Sequence, residues 1–443
     1  MTKKESYFKG KKITVMGLGL LGRGIGVIKF LAEQGAVLMV TDLKTKEQLA
    51  PALKQLSKYK NITYVLGEHR LEDFNNKDLI IRAPNAPLDS IYLKEAKKNN
   101  IEIDQDASLF CKLAPAGVKI IGVTGTRGKS TVTHLLYEIL KAAKKNVYLA
   151  GNVRGTATLP LLKKVRSGDC IVMELDSWQL QSFNTFSPNL AIFTTFMNDH
   201  QNYYGSTSLT TSRGGMERYF ADKANIFTHQ TKDDVLIAGS QVVKMVKAQK
   251  PKGKLIIPKQ SLLAGKHREY NAALASTAAK ELGIKDSVIK KAVKNFRGLP
   301  GRLEFIKDVK GVKYYNDTTA TTPDAVMAAV HALKDYKGRI VLIGGGTDKE
   351  LDFKRYSQIV PKYLKELILF KGTATDKILK VLPLKFKKQV VLVENMTDAF
   401  KCATSLAEKG DLILLSPGAA SFGIFKNEFD RGDQFVRLVK KMK

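Results

Sequence analysis

The sequence predicts an α/β protein of three domains, each built on a parallel sheet that is covered by helices. Three observations support this prediction: short β-branched runs alternate with amphipathic stretches, glycine-rich turns follow two of the runs, and two breaks divide the chain. This alternation is typical of parallel sheets, because each helix carries the chain back to the edge where the next strand begins.

The alternation extends along the whole chain. The runs that predict strands are Lys12–Met16, Val37–Thr41, Leu79–Arg82, Lys119–Val123, Val147–Leu149, Cys170–Leu175, Asn189–Thr194, Arg339–Ile343, Glu366–Phe370, Gln389–Val393 and Asp411–Leu415. The stretches that predict helices include Gly22–Gln34, Lys129–Lys144, Tyr270–Leu282, Pro323–Lys334 and Thr397–Lys409.

Two breaks set the expected domain bounds. Lys112–Val118 precedes a new strand, and Phe296–Arg302 is rich in glycine and proline. Both residue types interrupt regular structure and commonly mark connections between domains. We therefore expect domains at residues 1–112, 113–297 and 298–443.

The composition excludes several classes of protein. Of the 443 residues, 44% are apolar and 26% are charged, as in ordinary globular proteins. The three scattered cysteines, Cys111, Cys170 and Cys402, fit neither a disulfide framework nor a metal site and favour the cytoplasm. The polar start, Met1–Gly10, lacks a signal core, and no apolar run reaches about 18 residues, so we expect no membrane span.

The chain is strongly basic, with 73 Lys and Arg residues against 42 Asp and Glu residues and a net charge of +31. The lysines are spread along the chain, and no basic block is interleaved with aromatic residues, so we expect no nucleic-acid partner. A generally basic surface and a contribution to binding anionic ligands both remain open as explanations.

A first glycine loop, Gly17-Leu18-Gly19-Leu20-Leu21-Gly22, lies between a predicted strand and a predicted helix. This G-x-G-x-x-G pattern is typical of a diphosphate held at a helix N-terminus, and Asp42 ends the next strand, where a ribose or base contact is expected. The pattern does not identify the nucleotide. A dehydrogenase that binds NAD and a turn without a ligand remain alternatives.

A second glycine loop, Gly122–Thr131, also lies between a strand and a helix and contains the T-G-T-x-G-K-S core of a P-loop. In such loops backbone N–H groups surround phosphates, the lysine reaches the terminal phosphates and the hydroxyl ligates Mg²⁺. The residues expected to bind ATP or GTP are Gly125, Thr126, Arg127, Gly128, Lys129, Ser130 and Thr131. A diphosphate in one domain and a triphosphate in the next favour a transfer between two large ligands.

Other polar residues stand where they could serve this second loop. Glu174 ends an apolar strand, a position that suits Mg²⁺. His200 follows another strand and could be a metal ligand or an acid–base, although a lone histidine is more often structural. Asn271 opens a helix, and Arg302 follows the second break, from which it could stabilise transferred charge.

Taken together, these motifs resemble those of the Mur ligases, the ATP-dependent amide ligases of peptidoglycan precursor synthesis. The resemblance covers nearly the full chain, in the family's order. The motifs are GLGLLG (17–22), GVTGTRGKST (122–131), ELDSWQL (174–180), FMNDHQNYYG (196–205), GKHREYNAA (265–273), GLPGRLE (298–304), YNDTTAT (315–321), LIGGGTDKELDF (342–353) and SPGAASFGIFKNEFDRGDQF (416–435).

The resemblance implies a Rossmann-like UDP-binding domain, a central ATPase domain and a C-terminal Rossmann-like domain that brings the amino acid. It implies that glutamate, D-glutamate in this branch of the family, is joined to UDP-N-acetylmuramoyl-L-alanine through an acyl phosphate. The implied cofactors are ATP and two Mg²⁺ ions, and the implied state is a cytoplasmic monomer. A Mur ligase for L-glutamate or another acceptor, and an inactive relative that only binds nucleotides, remain alternatives.

The resemblance also implies residue roles. Catalytic roles fall to Lys129, His200 and Lys223, and Mg²⁺ ligands are Ser130, Glu174, His200 and Lys223. Further ATP contacts are Asn271, Arg302 and Asp317. Substrate contacts are Gly17, Leu18, Gly19, Gly22, Thr41, Asp42, Thr321, Lys349, Ser416 and Phe422, with Asp348-Lys349, Ser416 and Phe422 forming the glutamate pocket. Lys223 matches a family lysine that CO₂ carboxylates on N6; without the resemblance it would be interpreted as a surface lysine.

Several positions depart from the family pattern, among them Gly151-Asn152-Val153-Arg154-Gly155, which stands where G-N-I-G is usual. Arg127 and Arg268 stand where asparagine is usual, Thr319 replaces a lysine, and Gly301 replaces a histidine. One cation is thus gained in the second glycine loop and one is lost near the reaction intermediate. We hypothesise that Arg127 supplies the charge that Thr319 no longer carries.

Overall fold

The computed structural model describes residues 7–19, 22–199, 201–204, 214–259, 267–348, 351–421 and 423–442. Its strands are β1 Lys12–Met16, β2 Val37–Asp42, β3 Ile62–Leu66, β4 Leu79–Arg82, β5 Glu102–Asp104, β6 Lys119–Thr124, β7 Val147–Gly151, β8 Cys170–Glu174, β9 Leu190–Phe193, β10 Val235–Ala238, β11 Lys254–Ile256, β12 Glu304–Val309, β13 Val312–Asn316, β14 Ile340–Gly345, β15 Leu364–Phe370, β16 Val390–Val393 and β17 Leu412–Leu415.

Helices cover the sheets that these strands form. They are α1 Arg23–Glu33, α2 Lys46–Leu56, α3 Ile91–Lys98, α4 Asp106–Leu113, α5 Lys129–Ala142, α6 Ser177–Leu180, α7 Gln201–Tyr204, α8 Gly215–Thr228, α9 Val243–Ala248, α10 His267–Glu281, α11 Asp286–Asn295, α12 Pro323–Ala332, α13 Lys354–Ile359, α14 Thr373–Val381, α15 Leu384–Lys387, α16 Met396–Leu406 and α17 Glu428–Lys441. Within the described ranges, no helix is long and apolar enough to span a bilayer.

Three sheets confirm the predicted α/β class. The first has the strand order β3-β2-β1-β4-β5 and the second β11-β10-β9-β6-β8-β7, and every pairing in them is parallel. The third has the order β12-β13-β17-β14-β15-β16. In each of the first two sheets a glycine loop follows a central strand, β1 or β6, where strand order reverses and ligands commonly bind.

One pairing differs from the all-parallel prediction. β12 and β13 are antiparallel. They are joined by Lys310 and Gly311, which have positive φ values of 52° and 83°. A two-residue turn with both φ values positive matches the right-handed twist of a hairpin, so this connection can make only an antiparallel pair.

The chain forms two compact units, one of residues 1–296 and one of residues 297–443. The first unit contains two sheets, and one apolar cluster, which includes Val15 of β1, Leu31 of α1, Phe193 of β9 and Phe220 of α8, extends across both of them. The second unit contains the third sheet, with buried side chains on both of its faces. Each predicted domain range thus holds one sheet, although compact packing divides the chain only once.

Candidate active site

The first glycine loop connects β1 to α1 and turns through left-handed backbone. Gly17, Gly19 and Gly22 have φ values of 97°, 64° and 89°, which favour glycine. A side chain at Gly17 would place its Cβ 2.9 Å from Cβ of Ala83, in the loop after β4. Leu18 is buried beneath the turn, and the loop therefore approaches the neighbouring strand closely.

Asp42 at the end of β2 holds this loop. Its carboxylate accepts hydrogen bonds from the backbone N–H groups of Gly19 and Lys44, both at 2.9 Å. It is only 5% exposed, so its first role in the structure is to fix the turn. The predicted base or ribose contact stays a prediction.

His69, which the sequence analysis did not single out, lies beside Thr41. The Thr41 hydroxyl lies 2.9 Å from Nδ1 of His69, whose ring packs edge-on against Tyr92. Burial lowers the pKa of His69, an effect that nearby Asp42 and Asp73 oppose. His69 belongs to no motif, and only the pairing of β2 with β3 brings it to this edge of the sheet.

The second glycine loop has the geometry of a phosphate cradle. It follows β6, and Gly128, with φ of 87°, caps α5. Lys129 curls back over the loop and donates from Nζ to the carbonyls of Gly125 at 2.9 Å and Thr126 at 3.2 Å. The first turn of α5 includes Ser130 and Thr131, and a helix N-terminus suits an anion because the helix dipole is positive there.

The segment after β9 fixes this loop from one side. Thr195 accepts from the N–H groups of Thr126 and Arg127, and the Thr194 hydroxyl donates to the Arg127 carbonyl at 2.5 Å. On another side, a Cβ added to Gly128 would lie 2.6 Å from Oδ1 of Asn271 on α10. The structure therefore places the predicted ATP contact Asn271 directly against the loop.

Lys223, in α8, is buried rather than exposed. It is 1% exposed, and its Nζ donates to the Gly125 carbonyl at 3.1 Å and lies 4.7 Å from the centre of the Tyr219 ring. Burial holds the pKa of Lys223 well below its ordinary value, and the positive charge of Lys129 lowers it further. The interpretation as a surface lysine, which the residue alone suggested, is therefore wrong, because α8 packs over the second glycine loop.

The residues near this loop fit a magnesium ion that is held mainly by phosphate. Glu174 ends β8, is 5% exposed, and pairs in register with Val123 of β6, next to the loop. Across the described ranges, no group of three or more His, Cys, Asp or Glu side chains could hold a metal alone. Mg²⁺ commonly takes one or two protein ligands beside phosphates and water, and Glu174 and Ser130 both carry the oxygen ligands that it prefers. The predicted ligand His200 lies outside the described residues.

In the second unit, Asp317 and Ser416 lie together at the ends of β13 and β17. The Ser416 hydroxyl donates to Oδ2 of Asp317 at 2.8 Å, and the Leu303 N–H donates to Oδ1 at 2.9 Å. Burial raises the pKa of Asp317 to about 7, although these hydrogen bonds and the charge of Arg302 oppose it. The resemblance assigns Asp317 to ATP and Ser416 to glutamate, yet the two side chains are hydrogen-bonded to each other.

The structure describes some of the other residues of this unit that were predicted to contact substrate. Thr321 is half-buried and follows the same loop, and Asp348 forms an ion pair with Lys377. Lys349 and Phe422, predicted for the glutamate pocket, lie outside the described residues.

Arg431 of α17 is a second residue that the sequence analysis missed. It is 0% exposed and donates to the carbonyls of Thr318 at 2.9 Å and Ala419 at 3.3 Å. Arg431 thereby joins the loops that follow β13 and β17. An arginine in the charged stretch FDRGDQF is typical of an exposed helix face, so its burial needed the tertiary structure.

Comparisons with known proteins agree with this arrangement. Residues 11–104 match the MurD-like N-terminal domain of Mur ligases, residues 123–260 the Mur ligase middle domain, and residues 301–418 the glutamate ligase domain of Mur ligases. The UDP-N-acetylmuramoylalanine–D-glutamate ligase of Borreliella burgdorferi is 36% identical over 98% of both chains. That of Roseiflexus sp. is 35% identical over 97% of this chain and 98% of its own.

Solved structures of low identity share the fold. The UDP-N-acetylmuramate-alanine ligase MurC of Thermotoga maritima has a TM-score of 0.63 at 17% identity, covering 98% of this chain and 100% of its own. The MurF ligase of the same organism, in complex with ADP, has a TM-score of 0.58 at 15% identity, covering 100% of this chain and 96% of its own.

Proposed function

The chain belongs to the Mur ligase family, and we propose that it joins D-glutamate to UDP-N-acetylmuramoyl-L-alanine with hydrolysis of ATP to ADP and phosphate. The observation that carries this proposal is the convergence of two lysines on one phosphate loop: Lys129 and Lys223 both donate to the Gly125 carbonyl. A phosphate loop with a lysine folded over it and a second, buried amine beside it favours chemistry on the terminal phosphate of ATP.

The reaction has two steps. The acceptor carboxylate attacks the γ-phosphorus of ATP, the bond to the β-phosphate oxygen breaks, and ADP leaves with an acyl phosphate formed. The glutamate amine then attacks the acyl carbon through a tetrahedral intermediate, a proton is lost from nitrogen, and phosphate leaves. Lys129 contributes positive charge where the phosphoryl group transfers, which lowers the barrier most if its position is fixed beforehand.

Two Mg²⁺ ions would be held at this loop by Ser130 and Glu174, and by His200 and a carboxylated Lys223. Mg²⁺ bound there would offset negative charge on the phosphate oxygens. The buried position of Glu174 at the end of β8 supports this assignment, because a carboxylate there is protected from competing water.

Carboxylation of Lys223 on N6 is the chemical change that its environment favours. The neutral amine, which the lowered pKa of Lys223 makes available, attacks the carbon of CO₂, a nitrogen–carbon bond forms, and one proton leaves for solvent. The product is an anion in place of a neutral amine or a cation. An anion there can ligate or orient a metal beside the phosphates.

The glycine loop from Gly17 to Gly22 would bind the diphosphate of the acceptor, with Thr41 and Asp42 near the uracil. ATP would also contact Asn271, Arg302 and Asp317. Glutamate would bind through Lys349, Ser416 and Phe422, with Thr321 as a further substrate contact. We expect a monomer that works in the cytoplasm, in keeping with the family.

A second candidate is a Mur ligase for L-glutamate or for another acceptor. The departures at Arg127 and Thr319 favour it, because both change charge near the transferred groups. A measurement of phosphate release separates the two proposed functions. The enzyme is given ATP, Mg²⁺ and UDP-N-acetylmuramoyl-L-alanine together with each amino acid of a panel that includes both glutamate enantiomers. Release only with D-glutamate supports the first proposal; release with another amino acid favours the second, and no release with any refutes both for this acceptor.

A further inference from the structure

Arg82, the last residue of β4, is a buried arginine to which the proposed reaction gives no role. It is 2% exposed, and its Nη1 donates to the carbonyls of Pro84 and Ala86, both at 3.0 Å. These carbonyls belong to the loop that follows β4 in the first sheet. One end of the guanidinium therefore fixes the conformation of that loop.

This loop lies against the first glycine loop. The Ala83 N–H donates to the Met16 carbonyl at 2.8 Å, and the Ala83 side chain occupies the space where Gly17 can carry no Cβ. Arg82 therefore acts on the loop that supports the proposed diphosphate site.

The other end of the guanidinium reaches the second sheet. Arg82 Nη2 donates to the Trp178 carbonyl and to Oε1 of Gln181, both at 3.0 Å. Trp178 is in α6, whose capping residue Asp176 comes two positions after Glu174. One side chain thus joins the β4 loop to the helix that follows the proposed metal ligand.

Gln181 extends the connection to α8. Its Nε2 donates to Oδ2 of Asp222 at 2.8 Å, and the Tyr204 hydroxyl donates to the same oxygen at 2.9 Å. Asp222 directly precedes Lys223 in α8. A continuous set of hydrogen bonds therefore runs from the β4 loop through Arg82, Gln181 and Asp222 to the helix that carries Lys223.

We propose that Arg82 is a positioning residue that couples the acceptor loop of the first sheet to Lys223 and the phosphate loop of the second. The proposal rests on the proposed ligase function for its catalytic consequence, although the structural connection itself does not. Arginine suits the role, since its planar fork can serve four acceptors on two elements, whereas lysine offers a single nitrogen with three donors.

Gln105 provides a matched control in the same interface. Its Nε2 donates to the same Trp178 carbonyl at 2.7 Å and to the Ser182 hydroxyl at 3.0 Å. It therefore tethers α6, but its side-chain amide donates to neither the β4 loop nor the Gln181–Asp222 pair. Loss of Gln105 removes an anchor of α6, whereas loss of Arg82 also breaks the connection to α8.

The test compares Arg82→Met, Arg82→Lys and Gln105→Met by steady-state kinetics and by hydrogen–deuterium exchange of the unliganded enzyme. We expect Arg82→Met to lower kcat by about 10-fold to 100-fold with KM for ATP changed less than about threefold, as for a small misplacement of reacting groups. We expect faster amide exchange in residues 215–228 for Arg82→Met, an intermediate effect for Arg82→Lys, and near wild-type exchange there for Gln105→Met.

Addition of Gln181→Met tests the route. If Arg82 acts through Gln181, the double variant Arg82→Met/Gln181→Met should have the same kcat as Arg82→Met alone, because both substitutions break the same connection. Independent losses that multiply would refute the route.

The proposal would be overturned if Arg82→Met had the kcat and the α8 amide exchange of the wild type. It would also be overturned if Gln105→Met changed both quantities as much as Arg82→Met does. If Arg82→Met does not fold, Arg82→Lys against Gln105→Met makes the same comparison. If the wild-type enzyme shows no ligase activity, the proposed function fails separately, and the exchange of residues 215–228 alone decides whether Arg82 holds α8.

Discussion

The Ser416 hydroxyl donates a hydrogen bond of 2.8 Å to Oδ2 of Asp317, and the two residues directly follow the adjacent strands β17 and β13. Ser416 is 0% exposed, and Asp317 also accepts the Leu303 N–H. The pair fixes the carboxyl edge of the third sheet. It does so with a carboxyl group that burial makes difficult to ionise.

Asp317 should therefore make stability depend on pH. Its pKa is raised from 3.8 to about 7, so the folded chain binds the proton more tightly than the unfolded chain. The stability that the protonated Asp317 carboxyl contributes is fully present below its pKa in the unfolded chain. It is lost as the pH rises through the folded-state pKa of about 7. We expect Asp317→Asn to unfold at a higher temperature than wild type at pH 8 and to flatten the pH dependence in this window.

Calorimetric unfolding between pH 4 and pH 8 checks this expectation. Asp376→Asn, which changes an exposed aspartate of α14 in the same unit, is the control and should follow the wild-type profile. A wild-type profile for Asp317→Asn as well would show that the Asp317 carboxyl is ionised in the folded chain throughout.

Gly128→Ala should disrupt ATP binding beyond its effect on stability. The left-handed φ of 87° costs about 1–2 kcal/mol for a side chain, and the new Cβ would lie 2.6 Å from Oδ1 of Asn271. Gly283→Ala is a matched control, because its φ is 75° and no atom lies within 4 Å of the added Cβ. We expect similar thermal destabilisation in both variants, but weaker ATP binding by calorimetric titration only in Gly128→Ala. Equal ATP affinities would argue against contact of the ligand with this loop.

Lys223→Met should separate activity from stability. We expect phosphate release to fall at least about 100-fold, as when a fixed charge-stabilising group is removed, with no loss of thermal stability. The reason is that burial lowers the pKa of Lys223 and makes a charge costly there, so an apolar side chain of similar length fits the site. Lys247→Met, on α9, is the control for the loss of a lysine in the same unit. Activity of Lys223→Met near that of the control would remove Lys223 from the reaction.

The departures at Arg127 and Thr319 should be coupled. If Arg127 supplies the charge that Thr319 lacks, we expect Arg127→Asn to lower kcat and Thr319→Lys to restore much of it in the double variant. The rates of the two single variants and the double variant form a cycle whose interaction energy measures the coupling. A double variant that only multiplies the two single effects would show that the sites act independently.

The sequence was most informative where a motif encodes its own local geometry. The bounds of β1 and β4 are those predicted, and both glycine loops turn where glycine permits a left-handed backbone. Among the strands that were missed, β5 and β11 have three residues each, and β12 carries three charged residues at the edge of its sheet. Such segments pair because of their neighbours, which no local pattern records.

Side-chain environments were harder to predict than strands. The residues alone suggest a surface position for Lys223, and Arg82, His69 and Arg431 attracted no functional prediction at all. Each is placed by elements distant in the sequence: Arg82, for example, bonds to Trp178 in α6, 96 residues further on, and to Gln181 just after that helix. A motif indicates which chemistry is present, whereas the residues that hold it in place depend on tertiary packing.

The central claim is that the acceptor carboxylate becomes an acyl phosphate at the second glycine loop. The most direct test labels both carboxylate oxygens of UDP-N-acetylmuramoyl-L-alanine with ¹⁸O and analyses the phosphate released with ATP, Mg²⁺ and D-glutamate by mass spectrometry. Because the oxygen that attacks phosphorus leaves with the phosphate, one ¹⁸O atom per phosphate is predicted. Unlabelled phosphate, released together with the amide product, would contradict the account.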